Sequence, residues 1–437
     1  MYCGGCLRDN ALVAALRKLG HQVLMVPLYL PLTLDEADQS AGTPLFFGGI
    51  SVYLEQKSPL FRGAPGWLHD LFASRRLLKW AAGKAAKTRA ADLGELTLSM
   101  LRGEAGNQAR ELEALIAWLK TQPKLDVLCL SNALLIGMVR RLKTELRVPV
   151  ACALQGEDFF LDALPESQRA ACWRTLAERA AEVDRFIAPS RYFGNLMRER
   201  LGLPADRVRV VHDGINLEGY GVAGQEGKAA GQGKGAPPST LDPRPSPPVL
   251  GFFARMCREK GLDTLVEAYL LLRQRGRVGN LKLRVGGSCG PADGAFVSSL
   301  RERLQASGLL GDVEFHPNLD RASKVAMLRS LSVFSVPALY GEAFGLYVIE
   351  ALAAGVPVVQ PRTAAFPELI EATGGGVLCA AGDARALAEA VEELLLNPAR
   401  ARALGEAGRR AVTERFSAEA MAQATLRLYG ELAGKAS

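Results

Sequence analysis

Residues 337–359 read "PALYGEAFGLYVIEALAAGVPVV". An apolar run ends at Gly341-Glu342-Ala343-Phe344-Gly345, and the apolar spacing that follows predicts a helix starting near Leu346. Glycines at such a place let the main chain approach a ligand closely, and the N–H groups of a helix start suit an anion. Glu342 falls in the loop and Glu350, eight positions on, about one turn into the helix, so both carboxylates can face one cleft mouth. Taken alone, the pair is equally explained as a charge at a helix start and a solvated helix residue.

A second candidate opens the chain, "MYCGGCLRDN", where Cys3-Gly4-Gly5-Cys6 has Cys-x-x-Cys spacing. A zinc site would need a second cysteine pair, and a thioredoxin-type motif would follow a strand; neither pattern is seen, so a glycine turn is the better reading. The four histidines, His21, His69, His212 and His316, have no metal-ligand spacing among themselves.

The elements that carry these residues read as α/β. Of the 437 residues 49% are apolar and 23% charged, a soluble globular balance with room for two domains. The net charge of +7 suits an anionic ligand, nucleic acid or an acidic membrane without choosing among them. No secretory signal and no apolar stretch of about 20 residues is apparent, and the eight cysteines are scattered, which favours reduced thiols and the cytoplasm. "HQVLMVPLYLPL", "LDVLCLSN", "VPVACAL", "DRFIAPS" and "RVRVVHD" read as buried strands alternating with helical patterns. "VLGFFARM", "LKLRVGG", "GDVEFHPN", "LSVFSVPAL" and "VPVVQP" do the same in the second half.

The boundaries expected are an N-terminal domain 1–218, a Gly/Pro-rich linker 219–248, a second domain 249–414 and a terminal helix 415–437 returning to the first domain. A helical insertion at about 64–121 sets Arg75, Arg76, Lys79, Lys84, Lys87 and Arg89 around Trp67, Leu77, Leu78 and Trp80. It reads first as a solvated insertion with an apolar packing face; the sharper alternative is peripheral contact with an anionic membrane.

"EAFGLYVIEALAAGVPVV" resembles the Glu-x7-Glu signature of the retaining glycosyltransferases of family 4, which adopt the GT-B fold. The resemblance extends to "ARMCREKGLDTLVEAY", "RFIAPSRYFGNLM", "RVRVVHDGIN", Gly374-Gly375-Gly376 and "RRAVTERFSAEAMA". It implies two Rossmann-like parallel-sheet domains facing a central cleft. It also implies transfer of a sugar from a nucleotide sugar to a sugar, lipid or polysaccharide acceptor, with no nucleic acid involved. Neither a metal nor an organic cofactor is implied, only a UDP-, GDP- or ADP-linked co-substrate. The chain lacks Asp-x-Asp, the metal–diphosphate motif of the other large glycosyltransferase fold.

By the same resemblance Arg255 and Lys260 grip the donor pyrophosphate, and Glu350 accepts hydrogen bonds from ribose hydroxyls. Glu342 lies near the transferred sugar, and Phe344, Gly345 and Leu346 offer backbone amides. Asn318 and Leu319 sit where the base-contacting loop would be, or in a plain connection. Gly4 and Gly5 match the family's glycine loop, whose preceding strand this chain lacks, with only Met1 and Tyr2 before it. Where many members carry a histidine the chain has Gln155-Gly156-Glu157-Asp158, so Asp158 is taken as a sugar or acceptor contact, a helix cap being the alternative. Competing readings are a GT-B-type nucleotide-sugar epimerase or phosphorylase, or an inactive binding protein.

Overall fold

The computed structural model describes residues 4–28, 36–47, 90–221 and 247–434. The basic cluster of the helical insertion, linker residues 222–246 and Cys3 lie outside them. The chain divides into two compact units, one of Gly5–His212 with Ala422–Ser437, the other of Asp213–Met421 with residues 1–4.

The first unit opens with α1 (Gly4–Lys18), whose Ala11, Leu12, Ala15 and Leu16 are buried. α2 (Ala90–Arg102) and α3 (Ala109–Leu119) follow. The strands β1 (Leu128–Leu130), β2 (Val150–Ala153), β3 (Arg185–Ala188) and β4 (Val208–Val210) then lie side by side in chain order, all parallel. Parallel neighbours need a crossover. These are supplied by α4 (Val139–Leu146), the pair α5 (Glu157–Asp162) and α6 (Glu166–Ala180), and α7 (Arg191–Leu201).

The strand expected from "HQVLMVPLYLPL" is not formed over its described part, residues 21–28, which are irregular with Leu24 exposed. The backbone there finds other partners: Arg17 donates to the Val23 carbonyl and Phe47 N–H to that of Leu28. Pro27 has no N–H to give a ladder.

The second unit holds a six-stranded parallel sheet: β5 (Val249–Phe253), β6 (Lys282–Gly287), β7 (Val313–Pro317), β8 (Val333–Phe334), β9 (Val358–Pro361) and β10 (Gly376–Cys379). Their spatial order is β7-β6-β5-β8-β9-β10. The chain builds outward from β5 in one direction, then crosses back to β8 on the other side of β5. Such a reversal opens a crevice beyond the carboxyl ends of the two central strands, where open α/β sheets hold ligands. Leu250, Phe252, Leu283, Val285, Val333, Phe334 and Val358 are fully buried around these strands.

The helices of this unit are α8 (Leu262–Arg275), α9 (Gly294–Ala306), α10 (Arg321–Arg329), α11 (Leu346–Ala353), α12 (Phe366–Thr373), α13 (Ala384–Leu396) and α14 (Pro398–Arg415). α15 (Ala418–Leu432) closes the described chain; from Ala422 on it belongs to the first unit, where Tyr429 lies by the half-buried Cys129. β8 is shorter than its apolar run suggests. After Ser335 N–H bonds Gly251 O at 3.0 Å, Pro337 interrupts the ladder and the segment leaves the sheet.

Candidate functional site

Two loops leave the central strands at the reversal. The one after β5 makes a single 3₁₀ turn at Arg258–Lys260 and passes through Gly261, φ +71°, into α8. A Cβ on Gly261 would lie 1.9 Å from the Pro337 carbonyl oxygen, so only glycine lets this turn lie on the segment that follows β8. Leu339 N–H bonds Glu259 O at 2.9 Å and ties the two loops again.

That double tie brings together side chains 82 positions apart. Lys260 Nζ is 2.6 Å from Glu342 Oε2, with side-chain exposures of 18% and 14%. The same oxygen accepts the Tyr347 hydroxyl at 2.7 Å and the Tyr340 hydroxyl at 3.1 Å, and Lys260 also donates to Tyr340. Burial, then the neighbouring Glu342 charge, pushes the Tyr347 phenol far up, so it stays a donor.

α11 starts at Leu346, as the spacing predicted, through Gly345 at φ +99°. Gly345 is its N-cap and Leu346 opens its first turn, where N–H groups have no carbonyl four residues back. The Phe344 side chain is core, 4% exposed and 6.1 Å from the Phe416 ring, so only its backbone is available to a ligand. Glu350, on α11, is held by Lys324 of α10 at 2.9 Å.

Arg255 is engaged by Asp293 rather than by this cluster. Its Nη2 is 2.8 Å from Asp293 Oδ1 and its Nε 3.1 Å, and that carboxylate is 5% exposed. Hydrogen bonding to Asp293 raises the Arg255 pKa further. Asp293 also accepts Gly290 N–H at 2.9 Å, which fixes the loop after β6. Asn318, at φ +57°, is exposed and locks the same loop, its N–H bonding Gly287 O at 2.8 Å and its side chain gripping Cys289. Leu319 beside it is half-buried.

In the first unit the glycine turn expected at Gly4 and Gly5 is corrected: both lie in the first turn of α1, and neither has a positive φ. The missing Cβ of Gly5 makes room for a side chain, since a Cβ there would meet Gln155 Oε1 at 2.0 Å. Gln155 Nε2 donates to Ser131 O at 2.7 Å and to Asp9 at 3.3 Å. Glu157 accepts Ala133 N–H at 2.8 Å and Gln155 N–H at 2.9 Å, joining the ends of β1 and β2. Asp158, 9% exposed, leaves one carboxylate oxygen buried without a hydrogen-bond partner, and burial raises its pKa. The helix cap is Gly156, not Asp158.

Residues 239–411 match the family model "Glycosyl transferases group 1", and residues 94–218 match "Glycosyltransferase Family 4". The two matches fall in both units and include the candidate residues from Asp158 to Glu350. The chain belongs to the family 4-type GT-B glycosyltransferases.

Among curated members of the family, the chain is 37% identical over 135 residues to a phosphatidyl-myo-inositol mannosyltransferase of Mycobacterium leprae, covering 31% of this chain and 36% of that protein. It is 31% identical over 184 residues to a D-inositol 3-phosphate glycosyltransferase of Corynebacterium jeikeium, covering 42% and 43%. The matched stretches thus span less than half of either relative. In fold it resembles Anabaena HepE in complex with UDP, TM-score 0.61 at 16% identity, over 93% of this chain and all of that one. Sucrose-phosphate synthase from Thermosynechococcus elongatus gives a TM-score of 0.59 at 24% identity over 74% of this chain and 78% of that one.

Tyr340, Tyr347, Lys324 and Asp293, which contact the candidate residues Lys260, Glu342, Glu350 and Arg255, were not singled out from the sequence. Only Asp293 carried a local signal, an acid inside the glycine-rich "SCGPADGAF" before a helix.

Proposed function

We propose that this chain transfers a sugar from a nucleotide sugar to an acceptor hydroxyl, with retention and without a metal ion. The observation that carries the reading is the Lys260–Glu342 pair, 2.6 Å apart at the carboxyl ends of the two strands where the sheet order reverses. Lys260 and Arg255 would neutralise the diphosphate as it leaves, aided by the Gly345 and Leu346 amides. Glu350 would accept the ribose hydroxyls through the oxygen that Lys324 leaves uncommitted, and Glu342 would orient the transferred sugar. The acceptor hydroxyl attacks the face that the diphosphate leaves, through an oxocarbenium-like state, and its proton passes to a donor phosphate oxygen. The protein then contributes position and electrostatics more than a dedicated base. Asp158 is assigned to the sugar or acceptor on the first unit, and Asn318 and Leu319 to the base.

A thermal-shift screen against UDP-, GDP- and ADP-sugars tests this. A bound donor at about 100 times its Kd adds about 2.7 kcal/mol, which raises Tm by about 5–11 °C for a domain of this size. UDP compounds come first because HepE was solved with UDP, and inositol phosphates lead the acceptors because both curated relatives are named for inositol compounds. No shift with any donor sinks the proposal. Turnover is expected to survive EDTA, and a loss restored by added divalent cation would refute metal independence.

Lys324→Met is expected to weaken nucleotide binding about tenfold, the scale of one hydrogen bond to a charged group, with kcat little changed. Calorimetry with the bound nucleotide and its 2′-deoxy analogue reads it out. Wild-type discrimination between the two should shrink in the variant, and equal discrimination would remove Glu350 from the ribose. No helix among the described residues is long and apolar enough to cross a membrane. A cytoplasmic site of action with peripheral contact to anionic lipid remains part of the proposal, tested by flotation with acidic liposomes.

A further inference from the structure

Glu342 Oε2 takes all three of the carboxylate's hydrogen bonds, from Lys260 at 2.6 Å, Tyr347 at 2.7 Å and Tyr340 at 3.1 Å. Lys260 Nζ in turn sits 4.8 Å from the Tyr340 ring centroid and 5.1 Å from that of Tyr347. The lysine is therefore enclosed by one carboxylate and two aromatic faces, a cage that suits an ammonium.

This arrangement conflicts with a lysine that must also serve a diphosphate. As charge builds on the leaving phosphate, Lys260 is drawn toward it and its bond to Glu342 weakens. Glu342, with a side chain only 14% exposed, would then keep a shielded negative charge without its cation. The Tyr340 and Tyr347 hydroxyls are the two neutral donors already aimed at the same oxygen. Neither is explained by packing alone, since phenylalanine would fill the same space: the Tyr347 ring packs 6.4 Å from Phe334 and 6.5 Å from Phe366.

We propose that Tyr340 and Tyr347 are positioning residues that hold Glu342 in place while Lys260 passes from that carboxylate to the donor diphosphate. The inference rests on the transferase reading. The two hydroxyls act through Glu342 and touch no reacting atom. They matter little in the free protein, where Lys260 is in place, and most when nucleotide sugar is bound.

The test is the double variant Tyr340→Phe/Tyr347→Phe, which keeps both rings and hence the lysine cage. Its melting temperature and its affinity for the nucleoside diphosphate bound by the wild type (UDP, GDP or ADP, by calorimetry) should match the wild type. Its kcat should fall about 10- to 100-fold, the scale of hydrogen bonds to a charged group. Made in a Glu342→Ala background, the same substitutions should cost nothing more, because the group they position is gone. Tyr340→Phe alone, at the half-buried position, should give the same pattern with smaller amplitude. An unchanged kcat, or a loss that adds in full to that of Glu342→Ala, overturns the inference while leaving the transferase reading intact. Failure of the wild type to bind any of the three nucleotides overturns the transferase reading, and this inference with it.

Discussion

Lys260→Ala and Glu342→Ala should each lower sugar transfer at least about 100-fold at saturating donor, the scale of a lost electrostatic contact in a transition state. For Lys260 the loss comes from the leaving group, whose growing charge would meet one cation fewer. For Glu342 it comes from the sugar, and also from the lysine, which loses a partner 2.6 Å away that now holds its position. The two residues share one network, so the double variant should be much less than multiplicatively impaired. Release of nucleoside diphosphate in the presence of acceptor, measured for both singles and the double, checks this. Near-normal rates in both singles would displace the site from this loop pair. The ion pair stabilises the free protein too, so denaturation midpoints should be recorded alongside the rates.

Gly261→Ala should destabilise the second unit by about 3 kcal/mol or more. The residue has φ +71°, which strains any side chain, and its Cβ would meet the Pro337 carbonyl oxygen at 1.9 Å. Backbone cannot rotate aside as a side chain can, so the turn after β5 or the segment after β8 must move. Either movement breaks the Leu339–Glu259 hydrogen bond and draws Lys260 away from Glu342. Transfer should therefore fall even at temperatures where the variant is fully folded. The denaturant midpoint reports the first effect and kcat in the folded range the second. An unchanged midpoint would mean that the two loops are not in backbone contact.

What the sequence made legible follows from how locally it was encoded. The helix start at Leu346, the loop before it and the strand–turn–helix around Arg255 and Lys260 are written in consecutive residues, and the chain folds there as they read. Partners were not legible in the same way. Lys324 reaches Glu350 across 26 positions and Asp293 reaches Arg255 across 38, and such pairs exist only once the sheet order sets which loops are neighbours. Tyr347 looked like one more apolar helix position, since periodicity reports which face is buried and not what a hydroxyl on it touches. The opening glycines misled for a related reason. A pair of glycines signals a turn or a close approach equally, and here Gly5 serves Gln155, 150 positions away, inside a helix. Over its described part "HQVLMVPL" forms no strand, and its Val23 and Leu28 carbonyls are taken by Arg17 and Phe47.

The anchoring of Phe344 has a consequence for how the loop breathes. Its ring is packed on Phe416 and Gly345 fits against Phe366, so the stretch that presents amides is fastened into the hydrophobic core from behind. Surface loops ordinarily exchange their amide hydrogens by local fraying, independent of global unfolding. Here the amides of residues 345 and 346, proposed to meet the donor, can swing free only if the core opens with them. A ligand that bonds to them therefore meets a surface already immobile and surrenders little chain entropy in doing so.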